Sequence, residues 1–125
     1  MNILISNNKD APIYEQIYEQ IKNAILDNKV GYDEPLPSIR NLAKDLKVSV
    51  ITTKRAYTEL ENEGYIITVP GKGSYVAKLN ENLISEYYLT ELENAIKTVM
   101  ELNKHCKLNK REIIEIMETM EKEVE

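Results

Sequence analysis

Three short amphipathic helices, a Pro-Gly-Lys-Gly turn between two β-branched runs, and a polar tail with two more apolar stripes predict a mainly α chain with a small β-hairpin. The arrangement is a winged helix-turn-helix at residues 10–79 followed by a two-helix C-terminal dimerisation tail at residues 80–125. A chain of 125 residues has room for one compact domain and an appendage, not for two substantial cores. Phe and Trp are absent, so the core is expected to consist of Ile, Leu, Val and Tyr.

The first helix is expected from Pro12 to Asn28. Pro12 suits a first turn, and Ile13, Ile17, Ile21 and Ile25 recur every four residues, broadened by Tyr14, Tyr18 and Ala24. One Gly and two Pro in VGYDEPLPS break that pattern, and Ser38 can cap a second helix that turns Ile39, Leu42, Ala43 and Leu46 inward. After only Lys47 and Val48, Ser49 can cap a third, in which Ala56, Tyr57 and Leu60 face inward and Gly64 stops the run. Two short helices so tightly joined must cross at a large angle, as in a helix-turn-helix. Tyr65–Val69 and Ser74–Ala77 then form the hairpin.

The hairpin tip, VPGKGSYV, also has the look of a nucleotide-binding loop, and spacing decides between the two. A phosphate-cradling loop needs Gly, four residues, Gly, Lys and a hydroxyl, between a strand and a helix. Position 66 is Ile, position 73 is Gly, and a strand follows. No catalytic set or metal-ligand spacing occurs elsewhere, and the one His, His105, lies beside the one Cys, Cys106, in a helix connection. Neither an enzyme nor a cofactor or metal is therefore expected. As a wing, the same loop offers a cation at Lys72, while Gly71 and Gly73 allow the backbone close to a phosphate.

The net charge of −5 hides a segregation. Residues 1–34 balance three Lys against six acids (−3), residues 35–78 seven basic against four acidic (+3), and residues 79–125 six against eleven (−5). The one basic stretch is the helix-turn-helix and wing, where a polyanion would dock. Ser49, Thr52, Thr53, Lys54 and Arg55 crowd the first turns of the third helix, and Arg40 lies in the first turn of the second. Hydroxyls and cations in those positions suit contact with base edges and phosphates.

LPSIRNLAKDLKVSVITTKRAYTELENEGYIITVPGKGSYVA resembles the GntR-type winged helix, with the LPS-x-R start, the L-x-V-S turn, the R-A-Y and ELE-x-EG helix and the GKG-[ST]-[YF]-V wing in register. The resemblance covers about residues 10 to 79, and the short tail is similar to the YtrA-like branch, which lacks a large effector domain. It implies a dimeric transcription regulator, usually a repressor and often of transporter operons, with DNA contacts at Arg40, Ser49, Thr52, Lys54, Gly71, Lys72 and Gly73. Val50 and Ile51 depart from the pattern, standing where polar residues are frequent.

In the tail, Ile84, Tyr88, Leu92, Ala95, Val99 and Leu102 form one stripe. Asn109 and Glu112 make a variant capping box before Ile113, Met117, Met120 and Val124. Such stripes need the core domain, each other or a second chain to cover them. The expectation is a homodimer through Tyr88, Leu92, Ala95, Val99, Leu102, Ile113, Met117 and Met120, bound to a palindromic double-stranded DNA operator. A winged helix that docks on a protein without intrinsic DNA specificity is the alternative. No apolar run is long enough to span a membrane, so a cytoplasmic protein is expected; no effector ligand is legible.

Overall fold

The computed structural model describes residues 1–7 and 10–124. They form a winged helix-turn-helix followed by two C-terminal helices, in the order α1 (Ile13–Leu26), α2 (Ile39–Leu46), α3 (Val50–Asn62), β1 (Ile66–Val69), β2 (Gly73–Val76), α4 (Glu81–Cys106) and α5 (Lys110–Val124). The chain divides into two compact units, Met1–Ile84 and Ser85–Glu125.

In the first unit α3 is the central element, packing against α1, α2 and β1. Ile17 and Ile21 of α1, Ala56 and Leu60 of α3, and Ile66 of β1 are sealed from solvent. Each of the three helices ends in a Schellman turn, which satisfies carbonyls the helix leaves open. Lys29 N–H donates to Ala24 O, Val48 N–H to Ala43 O, and Tyr65 N–H to Leu60 O, all near 3 Å. The left-handed residue in the three turns is Asn28, Lys47 and Gly64, respectively. The first helix therefore stops at Leu26, two residues before the expected Asn28, because Asn28 reverses the chain.

The hairpin gains a third segment that the sequence reading treats as a mere break. Asp33 N–H donates to Val76 O, Val76 N–H to Glu34 O and Leu36 N–H to Ser74 O. Pro35 sits opposite Tyr75 and offers no N–H, but its neighbours supply the ladder, so residues 33–36 cover the second edge of β2. The N-terminal segment is fastened by side chains instead. Gln16 exchanges two bonds with the backbone of Ser6 and Gln20 two with Leu4, at 2.7–2.9 Å. Two Gln one helical turn apart meet two extended residues two apart because both spacings are about 6 Å.

In the second unit α4 ends where Lys107 turns left-handed and Asn103 clasps Leu108 through both amide atoms at 3.0 Å. The expected capping box opens α5: Glu112 N–H donates to Asn109 Oδ1 at 2.9 Å, and Asn109 N–H to Glu112 Oε1 at 3.1 Å. No described residue of α4 or α5 is buried.

Candidate nucleic-acid interface

The basic third of the chain converges on the helix-turn-helix and its wing. Ser38 and Ser49 cap α2 and α3 in the same way, their hydroxyls accepting from Asn41 N–H at 3.1 Å and Thr52 N–H at 3.0 Å. Between them Lys47, at φ 57°, makes the tight turn that sets α3 across α2. Tyr57, buried in α3, donates to Pro37 O at 2.7 Å and so ties the third helix to the residues just ahead of the second. Burial drives the Tyr57 phenol well above its ordinary pKa.

At the start of α3 the polar groups are not equivalent. Ser49 Oγ donates to Thr52 Oγ1 at 2.7 Å while accepting from the Thr52 amide. The pair leaves the Thr52 proton to be donated outward. Lys54 is exposed and lies seven residues, about two turns, above Glu61, hence on the same side of α3. Glu61 in turn accepts from Thr68 Oγ1 of β1 at 2.9 Å, so that side is the one facing the wing. With its proton given to Glu61, Thr68 accepts from Ser74 across the strand pair at 3.1 Å.

Two expected contacts change on this geometry. Thr53 is 0% exposed, and its hydroxyl donates to Ser49 O at 3.2 Å; the fold buries it as a core residue in place of the surface position expected of a DNA contact. Arg55 stacks its guanidinium 3.7 Å from the ring of Tyr14 on α1 and lies 3.9 Å from Glu59. Its charge is partly committed within the fold, although the side chain remains largely exposed. By contrast Arg40, Lys54 and Lys72 are exposed and have no carboxylate partner among the described residues. None of the three is held in an ion pair within the described fold.

The wing is a type II turn. Pro70 and Gly71 occupy its centre, Gly71 at φ 77°, and Lys72 N–H closes it on Val69 O at 2.9 Å. Gly73 follows at φ 107° as the partner of Val69 in the strand register. A Cβ on either glycine would meet nothing within 4 Å, so their left-handed dihedrals alone require glycine within this chain. Tyr75 hydroxyl braces the turn by donating to Lys72 O at 3.1 Å.

In the second unit the expected seam residues Tyr88, Leu92, Ala95, Val99, Leu102, Met117 and Met120 are all exposed, and Ile113 is half-buried. Sequence periodicity missed Leu89, Ile96 and Met100 on α4 and Ile114 and Ile116 on α5, which are exposed as well and widen both faces. Among the described residues no helix is long and apolar enough to cross a membrane, and no acidic, His or Cys cluster has the makings of a metal site.

Comparison with known proteins places this geometry. The profile of bacterial regulatory proteins of the gntR family matches residues 13–76. The HTH-type transcriptional repressor YtrA of Bacillus subtilis (strain 168) is 34% identical over 98 residues, which are 78% of this chain and 75% of that protein. Three longer curated relatives are matched over 14% to 30% of their length. A transcriptional regulator from Oenococcus oeni, 25% identical, superposes with a TM-score of 0.70 over 93% of this chain and 96% of the other. The DNA-binding domain of AraR in complex with operator ORX1, 28% identical, superposes at 0.55 over 62% of this chain and 96% of that domain.

Proposed function

The chain belongs to the GntR family of bacterial regulatory proteins, DNA-binding transcription regulators and not enzymes, and on that premise we propose that it is a homodimeric repressor of a transporter-type operon. Its winged helix, residues 10–79, reads the operator; its tail, residues 80–125, joins two copies in the cytoplasm. The observation that carries this reading is that Arg40 of α2, Lys54 of α3 and Lys72 of the wing are all exposed and have no carboxylate partner among the described residues.

Arg40, Ser49, Thr52, Lys54 and Lys72 are the proposed DNA contacts, with Gly71 and Gly73 shaping the wing so that Lys72 stands at its tip. Arg55 contributes long-range charge more than a direct bond, since Tyr14 holds it. Two copies related by a twofold axis present two α3 helices, so the operator is a palindrome with half-sites about one helical turn, roughly 34 Å, apart. The exposed apolar faces of α4 and α5 support a second chain as their cover: each Leu, Ile or Val taken from water contributes on the order of 1.5–3 kcal/mol. The acidic tail repels the duplex and keeps these arms off DNA.

The reading is tested by fluorescence anisotropy of the full chain against random and operator duplexes over a range of salt. Tight binding to a palindrome with a steep salt dependence supports it. Flat, salt-independent binding would point to a protein partner instead.

A further inference from the structure

Directly outward on α3 stands a side chain that neither phosphate contact nor core packing uses. Ile51 is 81% exposed, and it lies about 200° around the helix from the sealed Thr53. Val50 beside it is 46% exposed. A single exposed apolar residue is ordinary. Two in succession at the first turn of α3, flanked by the Ser49–Thr52 hydroxyl pair and by Lys54, occupy the end of the helix that enters a major groove.

We propose that Ile51 is a specificity determinant that reads the 5-methyl group of a thymine in each half-site; this rests on the DNA-binding reading above. The groove edges of the four base pairs present donors, acceptors and one apolar group, the thymine methyl. An isoleucine facing them has no hydrogen bond to offer, and burying it against a donor or acceptor would leave that group without water or partner. Its β-branched carbon restricts χ1, so the methyls are held in place before contact. Thr52, one residue on, keeps its proton for an acceptor such as thymine O4 or a phosphate oxygen. The two neighbours thus divide the work between an apolar and a donor contact.

The test uses an operator enriched from random duplexes with the full chain. Each thymine in turn is replaced by deoxyuridine, which deletes the methyl and keeps the Watson–Crick pairing. At one position per half-site the substitution should weaken binding about fourfold, the equivalent of one buried methyl. Ile51→Ala should bind the thymine duplex more weakly and respond to deoxyuridine by less than about 1.5-fold, whereas Ile51→Val should keep much of the response. Because Ile51 is exposed, neither variant disturbs the core. Equal deoxyuridine penalties in wild type and Ile51→Ala would overturn the proposal, as would the lack of any penalty in wild type. Failure to enrich any duplex would remove the DNA-binding reading itself, and the thymine contact with it.

Discussion

The hydroxyl of Ser49 donates to the hydroxyl of Thr52 across 2.7 Å, while its lone pair accepts the Thr52 amide. One serine therefore caps α3 and sets the polarity of its neighbour. Thr52→Val keeps the shape and leaves the cap intact, so stability in urea should move by less than about 0.5 kcal/mol while operator affinity falls. Ser49→Ala should lose both, with about 1 kcal/mol of stability going with the cap. Unchanged affinity in Thr52→Val at matched salt would remove Thr52 from the readout.

Thr53 makes the opposite case one residue further on. Its amide and its hydroxyl both donate to Ser49 O, so deletion of the hydroxyl leaves that carbonyl with a partner. Thr53→Val should bind operator within about twofold of wild type and keep its stability within roughly 1 kcal/mol. A large affinity loss without a stability loss would show that α3 meets DNA on a different face.

These two residues mark what a single sequence discloses. Helix existence and the wing follow from periodicity and from Pro-Gly-Lys-Gly, because local steric rules act within a few residues. The inward turn of Thr53 was hidden because a hydroxyl can bond its own helix and so enter a core, which residue type alone does not reveal. The stacking of Arg55 is illegible for a related reason: its partner, Tyr14, is 41 positions away in sequence and becomes its neighbour only when α1 packs on α3. The strand-like segment at residues 33–36 was masked by two prolines whose missing N–H groups happen not to be needed.

The wing should contribute affinity without sequence preference. Lys72→Ala removes one exposed cation from a turn already closed by its own backbone, so the fold should stand and the slope of log K against log salt should shrink by about one unit. Gly71→Ala, at φ 77°, should cost about 1–2 kcal/mol through dihedral strain alone, since a Cβ meets no neighbour. Measurement of both variants on specific and random duplexes separates the charge from the shape.

Leu92 and Val99 stand two turns apart on α4, both exposed, in a unit that buries none of its described helical residues. Leu92→Asp with Val99→Asp should turn a dimer into a monomer in sedimentation equilibrium, because charges in an apolar interface lose their water. The core of Met1–Ile84 is elsewhere, so hydrogen-exchange protection in α1 and α3 should persist. A dimer of undiminished strength would take the tail out of the assembly.

Burial raises the Tyr57 pKa above the ordinary value near 10, and Tyr18 is raised by burial and then by the neighbouring Glu63 carboxylate, which disfavours a phenolate beside it. The folded state therefore holds both protons more firmly than the unfolded chain does. Their contribution is fully present below pH 10 and declines as the pH climbs from there toward the folded values, since only the unfolded chain then gains by ionising. Urea midpoints should fall from pH 10 to 11. Tyr57→Phe should be less stable near neutrality by about 1 kcal/mol, the bond to Pro37 O being lost, and should show a shallower alkaline decline. If wild type and Tyr57→Phe decline in parallel, the buried phenol is not what links this fold to pH.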